Sequence, residues 1–244
     1  MEKSRAHRIL WLLEELELEY ELKLYHRDPA TGLAPKELSD IHPLGKSPLL
    51  ELDYRDGKET KKIAESGLII TYLIRHFDTD GKLKPINEED EEEAEYYLHF
   101  SEGTLQPLLT YTLLHEIAYS RTRESAKPAI DTFLDRVDGS YTTPNLSKAF
   151  DSLEQKLKKR CEELEYTSSS KEIFFVGHKL SAADIILEFN ASLAFRDPEL
   201  IKPIHRSKYV YLSKWLSQIK QRPAFVRSVD KIQKMGNDEY TIYY

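Results

Sequence analysis

Two neighbouring stretches carry most of the structural information in this sequence: HPLGKSPLLEL at residues 42–52 and KKIAES at residues 61–66. Pro48 opens a short apolar run in the first stretch. A strand tolerates proline at its first residue because the missing N–H need not belong to the ladder. Asp56-Gly57 lies between the two stretches, and such a pair between strand-like runs is typical of a hairpin. The pattern therefore predicts a turn and two strands joined as a hairpin.

A helix is predicted directly after the second strand. Ser66 is a residue type that caps helices well, and an apolar stripe with helical spacing follows it, made of Leu68, Ile69, Ile70, Tyr72, Leu73, Ile74 and Phe77. A helix start suits a carboxylate because it offers backbone N–H groups and the positive end of the dipole. Glu65 beside it can take an ammonium group. Ser47, held extended by the proline that follows it, can pair its backbone with a bound peptide.

The order Pro-Leu-Gly-Lys-Ser-Pro-Leu-Leu, then Glu-Ser at a helix start, resembles the glutathione-binding half of a cytosolic glutathione S-transferase, most closely the fungal branch. The resemblance implies a cis peptide bond before Pro48 and pairing of Ser47 with the cysteinyl part of glutathione. It implies that Glu65 and Ser66 hold the γ-glutamyl group, with Lys46 a further candidate for the glycyl carboxylate. Each motif alone is also an ordinary turn or helix start. Their order, together with a matching C-terminal half, favours the resemblance.

Composition argues against several other classes of protein. The 244 residues carry a formal net charge of −7, which argues against nucleic-acid binding. They include a single cysteine, Cys161, so an internal disulfide is excluded. No apolar run reaches the roughly 18 residues of a transmembrane segment, and the polar N-terminus is not typical of a secretory signal. The histidines show no metal-ligand spacing, so no metal is predicted. A P-loop is excluded because Asp40 stands where glycine is required. The location expected is cytoplasmic.

The residues before the hairpin fit the α/β thioredoxin-like fold that the resemblance implies. Apolar spacing predicts a first helix over 5–17, a strand over 20–25 and a short helix near 35–40. In the family, a further strand of typical length, about six residues, precedes the first helix. Here only residues 1–3 precede Ser4. The thioredoxin-like domain, residues 1–77, is therefore expected to be incomplete, either because the natural N-terminus lies upstream or because this is a variant without that strand.

Ser4 is the candidate catalytic residue. In the Ser-type branches of the family, the activating serine lies four residues before an arginine in the first helix, and Ser4 and Arg8 have that spacing. The resemblance implies that the Ser4 hydroxyl donates a hydrogen bond to the glutathione thiolate. The alternative is that Ser4 only caps the first helix. No tyrosine stands at the matching position, and Cys161 lies in a charged helical stretch far along the chain, so no tyrosine-type or cysteine-type mechanism is predicted.

The second half of the sequence predicts an all-α domain. Residues 78–87 form a polar linker, and the helical domain occupies residues 88–244. Asn87 is expected to cap its first helix, and Pro107 is expected to kink that helix. A loop or short helix over 122–143, a helix over 145–166 and a loop over 167–171 follow.

A capping box is predicted at Ser181, with Asp184 three residues later and Leu180 and Ile185 placed for a hydrophobic staple. This segment resembles the Gly-x-x-Leu-Ser-x-Ala-Asp segment of the transferase C-terminal domain. In that family the segment caps a central buried helix and is structural rather than catalytic. Ser181 and Asp184 are therefore not candidate catalytic residues.

The function expected is that of a glutathione transferase with glutathione as co-substrate and no metal. The thiolate would attack a small hydrophobic electrophile in an apolar groove between the domains, and reduction of organic hydroperoxides is a second expected reaction. The family also implies a homodimer, with residues after Ser66 and the early acidic helix at the interface. The alternative function is a non-catalytic glutathione-binding or protein-interaction module with the same fold, which the short N-terminus motivates.

Overall fold

The computed structural model describes residues 4–55, 57, 59–164, 172–196, 201 and 204–236. The N-terminal half contains α1 (Ala6–Glu15), α2 (Lys36–Ile41), β1 (Leu49–Leu52), β2 (Lys61–Ala64) and α3 (Ser66–Phe77). The rest of the described chain is helical, with α4 (Glu88–Phe100), α5 (Gln106–Ser120), α6 (Lys127–Val137), α7 (Thr143–Glu163), α8 (Ala182–Arg196), α9 (Val210–Lys220) and α10 (Pro223–Met235). This α/β half followed by a helical half is the predicted fold class.

The predicted hairpin is confirmed. Strands β1 and β2 pair antiparallel, with Leu49 opposite Ala64 and Leu52 opposite Lys61. Ile63 is the buried residue of β2, and it joins the same apolar core as the inner face of α3. The predicted Asp56-Gly57 turn lies partly outside the described residues.

The predicted strand over 20–25 is wrong, because residues 18–28 have no regular secondary structure. The alternation of side chains is nevertheless real. Tyr20, Leu22 and Leu24 are partly buried against the core, whereas Glu21 and Lys23 are exposed. A strand also requires a backbone partner, and the only ladder within the described residues joins β1 to β2.

The connection between the two halves is organised by Asp78. Its buried carboxylate accepts hydrogen bonds from the backbone N–H groups of Lys82, Leu83 and Lys84, at 2.7–2.8 Å. Asn87 then caps α4, as predicted, by accepting a hydrogen bond from the Asp90 N–H at 2.8 Å. The division of the chain into two domains at residues 78–87 stays a prediction.

The predicted disturbance at Pro107 takes the form of a π-helical turn. Residues Ser101–Leu105 form this turn between α4 and α5, and Pro107 stands at the start of α5. Proline removes an N–H from the helical ladder and crowds the preceding turn, so a local widening replaces a sharp break. Residues 122–143 are more regular than predicted, because α6 and a second π-helical turn, Asp138–Thr142, fill most of this region.

The helix predicted over 145–166 is confirmed as α7, with its start two residues earlier, and the loop predicted over 167–171 lies outside the described residues. All but the last residue of α8 are buried.

Asp184 anchors the start of α8. Its carboxylate accepts hydrogen bonds from the Ser181 N–H and hydroxyl, the Phe175 N–H and the Trp215 indole N–H, at 2.9–3.1 Å. One half of the predicted capping box is therefore present, the bond from the Ser181 N–H to the Asp184 carboxylate, whereas the Ser181 hydroxyl donates to that same carboxylate. The carboxylate also links α8 to α9. Complete burial raises the pKa of Asp184 to about 6, although its four donors favour the ionised form.

The two halves share one apolar core. Helix α1 packs against α3 on one side and against α8 and α10 on the other. Trp11 and Leu12 of α1 are fully buried in this core, beside Phe225 of α10. Across the described residues, no helix combines the length and apolar character needed to cross a membrane.

Candidate functional site

The hairpin register brings four predicted site residues to one place. Leu49 and Ala64 form the last pair of the antiparallel ladder, so Ser47 and Pro48, just before β1, lie at the same end of the hairpin as Glu65 and Ser66, just after β2. The Ser47–Pro48 peptide bond is cis, as the resemblance implies. These four residues form the hairpin-end site.

Glu65 holds an unusual backbone conformation at the hairpin-end site. Its φ is +72° and its ψ is 117°, whereas its side chain is exposed. A positive φ in a residue with a side chain is costly, and such conformations concentrate at ligand sites. Here it turns the chain from β2 directly into α3, leaving the carboxylate at the surface beside the helix start.

The predicted capping role of Ser66 is wrong. Helix α3 begins at Ser66, and Glu65 occupies the cap position without a side-chain capping bond. The reason is the positive φ of Glu65, which completes the turn one residue earlier than the sequence pattern suggests. The Ser66 side chain is buried instead, at 3% exposure.

The start of α3 provides the expected anion-binding geometry. The Ile69 N–H donates to the Glu65 carbonyl at 2.9 Å, so the N–H groups of residues 66–68 have no acceptor within the helix. They lie at the positive end of a helix of 12 residues. With the Glu65 carboxylate beside them, the hairpin-end site offers both donors for a carboxylate and an acceptor for an ammonium group.

A tight turn at His42–Gly45 directly precedes the hairpin-end site in the chain. Gly45 has a φ of +55°, and its N–H donates to the His42 carbonyl at 2.8 Å. A Cβ atom at this position would lie 2.4 Å from the Ser39 hydroxyl oxygen. The positive φ favours glycine at this turn, and a Cβ atom would also force the exposed Ser39 hydroxyl into another rotamer. The side chain of Lys46, the next residue, is exposed.

Ser4 lies at the other end of the N-terminal half in sequence, just before α1. Its hydroxyl accepts a hydrogen bond from the Ala6 N–H at 3.3 Å, so Ser4 helps to cap α1 from one residue before the cap position, which Arg5 occupies. A hydroxyl that accepts from a backbone N–H still carries its own proton. The capping role and the predicted role toward a thiolate therefore use different parts of the same group.

The two arginines that follow Ser4 in the chain make ion pairs that the sequence did not predict. Glu102, in the π-helical turn after α4, accepts hydrogen bonds from both Arg5 and Arg8. Arg8 is fully buried and also donates to Asn190 of α8 at 2.8 Å. These partners are 94 to 182 residues from Arg8 in the chain. No spacing rule connects positions so distant.

The residues described by the structure include no group of three or more histidine, cysteine or acidic side chains able to hold a metal ion. The single cysteine, Cys161, is buried in α7, and burial raises the pKa of its thiol. A buried thiol with a raised pKa is a poor nucleophile. The geometry therefore gives Cys161 no part in the hairpin-end site.

Comparison with known proteins agrees with this architecture. Residues 1–75 match the family model described as glutathione S-transferase, N-terminal domain. Glutathione S-transferase 1 of Saccharomyces cerevisiae is 34% identical over 243 residues, covering 98% of this chain and 95% of that protein. Glutathione S-transferase 3 of Schizosaccharomyces pombe is 27% identical over 233 residues, covering 96% and 86%. The chain therefore belongs to the glutathione S-transferase family.

Solved structures show the same fold. A glutathione S-transferase from Actinobacillus pleuropneumoniae superposes with a TM-score of 0.67 at 27% identity, covering 94% of this chain and 89% of the other. The structure of Ure2p in complex with glutathione gives a TM-score of 0.70 at 20% identity, covering 92% and 93%. The second likeness, at this identity, concerns the fold alone.

Replacement of Gly45 tests how the hairpin-end site is positioned. Gly45→Ala should destabilise the protein by about 1–2 kcal/mol for the positive φ, with a further loss of about 1 kcal/mol for turning the exposed Ser39 hydroxyl away from the new Cβ atom. Gly32→Ala is the matched control, because Gly32 has a φ of +72° but no atom within 4 Å of an added Cβ. Urea unfolding measures both losses.

The double variant Ser39→Ala/Gly45→Ala should recover the part of the loss that the clash causes, since the close atom is the serine hydroxyl. Equal losses in Gly45→Ala and Gly32→Ala would contradict the proposed steric role of this turn.

Proposed function

We propose that this protein is a glutathione transferase that activates the thiol of glutathione for attack on small hydrophobic electrophiles. The observation that carries the proposal is the hairpin-end site. There a cis Ser47–Pro48 bond lies at the same end of the hairpin as Glu65 and the start of α3. Membership of the glutathione S-transferase family supports the same function.

Each part of glutathione has a chemically matched group in this proposal. The γ-glutamyl end carries an α-carboxylate and an α-ammonium group. The N–H groups at the start of α3 and the Ser66 hydroxyl receive the carboxylate. The exposed Glu65 carboxylate receives the ammonium group. The backbone of Ser47 pairs with the cysteinyl peptide unit in the manner of an added strand, and exposed Lys46 approaches the glycyl carboxylate.

Ser4 is proposed to stabilise the thiolate. A free thiol has a pKa of about 8.5, and each unit of depression corresponds to about 1.4 kcal/mol of preference for the anion. A hydrogen bond from a hydroxyl to the thiolate, at the start of α1, accounts for about one or two units. The thiolate then attacks an electrophilic carbon and displaces its leaving group, such as chloride. In a second reaction it attacks the peroxide oxygen of an organic hydroperoxide, the O–O bond breaks and the alcohol leaves. The glutathione sulfenic acid formed then reacts with a second glutathione thiol to give the disulfide and water.

A non-catalytic glutathione-binding module is the second candidate. One observation favours it: the Ser4 hydroxyl already accepts the Ala6 N–H, so capping α1 is by itself a sufficient reason for a serine at this position. The same hairpin-end site would bind glutathione in either case. The two functions differ only in what happens to the thiol.

Kinetics of Ser4→Ala separate these functions. If Ser4 stabilises the thiolate, its loss should lower kcat/KM for conjugation of glutathione to a chloronitrobenzene by about 10- to 100-fold at neutral pH. Glutathione affinity should change little. Ser4→Thr, which retains a hydroxyl, is the control and should keep most of the activity.

Loss of the α1 cap lowers the stability of Ser4→Ala under both functions, so stability does not decide between them. Unchanged turnover in Ser4→Ala would show that Ser4 only caps α1 and does not stabilise the thiolate. Glutathione binding by the wild-type protein without turnover on a chloronitrobenzene or a hydroperoxide would favour the binding module.

The functional unit is proposed to be a homodimer, in which residues after Ser66 and the acidic start of α4 form the interface. Two large side chains in these segments, Leu68 of α3 and Tyr96 of α4, are more than half exposed. Sedimentation at micromolar concentration should give the mass of two chains, and Leu68→Glu/Tyr96→Glu should give the mass of one. A single-chain mass for the wild-type protein would contradict the dimer.

A further inference from the structure

One carboxylate holds two arginines next to Ser4. Arg5 stands at the cap position of α1, and Arg8 lies in the first turn of that helix. One Nη of each donates to a different oxygen of Glu102, in the π-helical turn Ser101–Leu105. We call Arg5, Arg8 and Glu102 the arginine cluster. Its members differ in exposure, since the Arg8 side chain is fully buried, whereas those of Arg5 and Glu102 are 32% and 22% exposed.

The other partners of Arg8 are neutral. Its second Nη donates to the Asn190 amide oxygen at 2.8 Å, and the Ser101 hydroxyl donates to the same oxygen at 2.7 Å. The Phe189 ring lies 5.1 Å from the guanidinium carbon. Burial lowers the pKa of Arg8 only to about 10, so Arg8 is charged at neutral pH. The arginine cluster therefore holds two cations and one anion.

Other titratable groups nearby do not cancel this excess charge. Glu188 of α8 acts on Arg8 more weakly than Glu102 does, and Lys220 of α9 opposes the charge of Glu188. His7, also on α1, lies 4.0 Å from Glu188, measured from Nδ1 to Oε2. Burial lowers the pKa of His7 to about 3, so its imidazole is neutral at physiological pH. Among the residues that the structure describes, the arginine cluster therefore keeps one net positive charge.

We propose that the arginine cluster tunes the acidity of the thiol held at Ser4, with Arg5 supplying positive charge and Glu102 limiting it. This inference rests on the proposed transferase function and assigns positioning residues to it. Ser4 adjoins Arg5 in the chain and precedes Arg8 by about one helical turn, so both charges lie within about 10 Å of it. At an effective dielectric constant of about 20, one charge at that distance shifts a pKa by about one unit.

The sign of the effect distinguishes this role from a purely structural clamp. Arg5→Gln removes the excess charge and should raise the pKa of the bound thiol by about half a unit to one unit. Glu102→Gln adds positive charge and should lower that pKa by a similar amount. A clamp that only joined α1 to the helical half would be weakened by both substitutions, without shifting the thiol pKa in opposite directions.

The test is a pH titration of glutathione bound to the full chain, followed by the ultraviolet absorbance of its thiolate. The pH profile of kcat/KM for conjugation is a second readout. Arg5→Gln and Glu102→Gln are compared with Arg5→Lys, which retains the charge and should leave the thiol pKa unchanged. Lys158→Gln and Glu162→Gln are matched controls, because they change charge in a pair on α7 that involves no member of the cluster.

Glu102→Gln leaves buried Arg8 without its carboxylate partner, and this variant need not fold. In that case the comparison of Arg5→Gln with Arg5→Lys decides, since Arg5 is partly exposed and its removal leaves the Arg8–Glu102 pair intact. The proposal would be overturned if the thiol pKa shifted in the same direction in Arg5→Gln and Glu102→Gln, or if it did not shift in Arg5→Gln. A wild-type thiol pKa that stays near the free value would instead contradict the proposed role of Ser4, so the two failures are distinguishable.

Discussion

The antiparallel register of the hairpin is the constraint on which the candidate site depends. Pairing of Leu49 with Ala64 sets the cis Ser47–Pro48 bond at the same end of the hairpin as Glu65 and Ser66. A slip by one residue would move every side chain of a strand to the opposite face, which would expose Ile63 and separate the site residues. The apolar core that buries Ile63 therefore also fixes the geometry of the site.

The helical half holds α1, the helix that follows Ser4. Helix α8 is buried along almost its whole length and is anchored at its start by four hydrogen bonds to Asp184. Further along, Asn190 meets Arg8 of α1. Because Ser4 directly precedes α1, the position of its hydroxyl depends on contacts made far along the chain. Glu102 adds a charged connection from the π-helical turn before Pro107.

Sequence patterns predicted the features that depend on local rules. The hairpin, the apolar face of α3, the Asn87 cap and the Ser181–Asp184 contact all follow from neighbouring residues. The prediction of a strand over 20–25 is wrong because alternating apolar and polar side chains indicate only which side faces the core, whereas a strand also needs a neighbouring strand to pair with. The pattern predicts Ser66 as the cap, and this is wrong because the residue type of Glu65 does not indicate its positive φ. Glu102 was missed because its partners are distant in sequence.

Calorimetric titration of glutathione into the full chain tests the central claim, that the hairpin-end site binds glutathione through Glu65. We expect a dissociation constant in the micromolar to millimolar range, weakened about tenfold or more in Glu65→Ala, because a charge-assisted hydrogen bond contributes about 1.5–3 kcal/mol. Glu59→Ala, which changes another exposed glutamate of the hairpin region, should bind as the wild type does. No heat of binding in the wild type, or equal affinity in Glu65→Ala, would contradict binding of glutathione through Glu65.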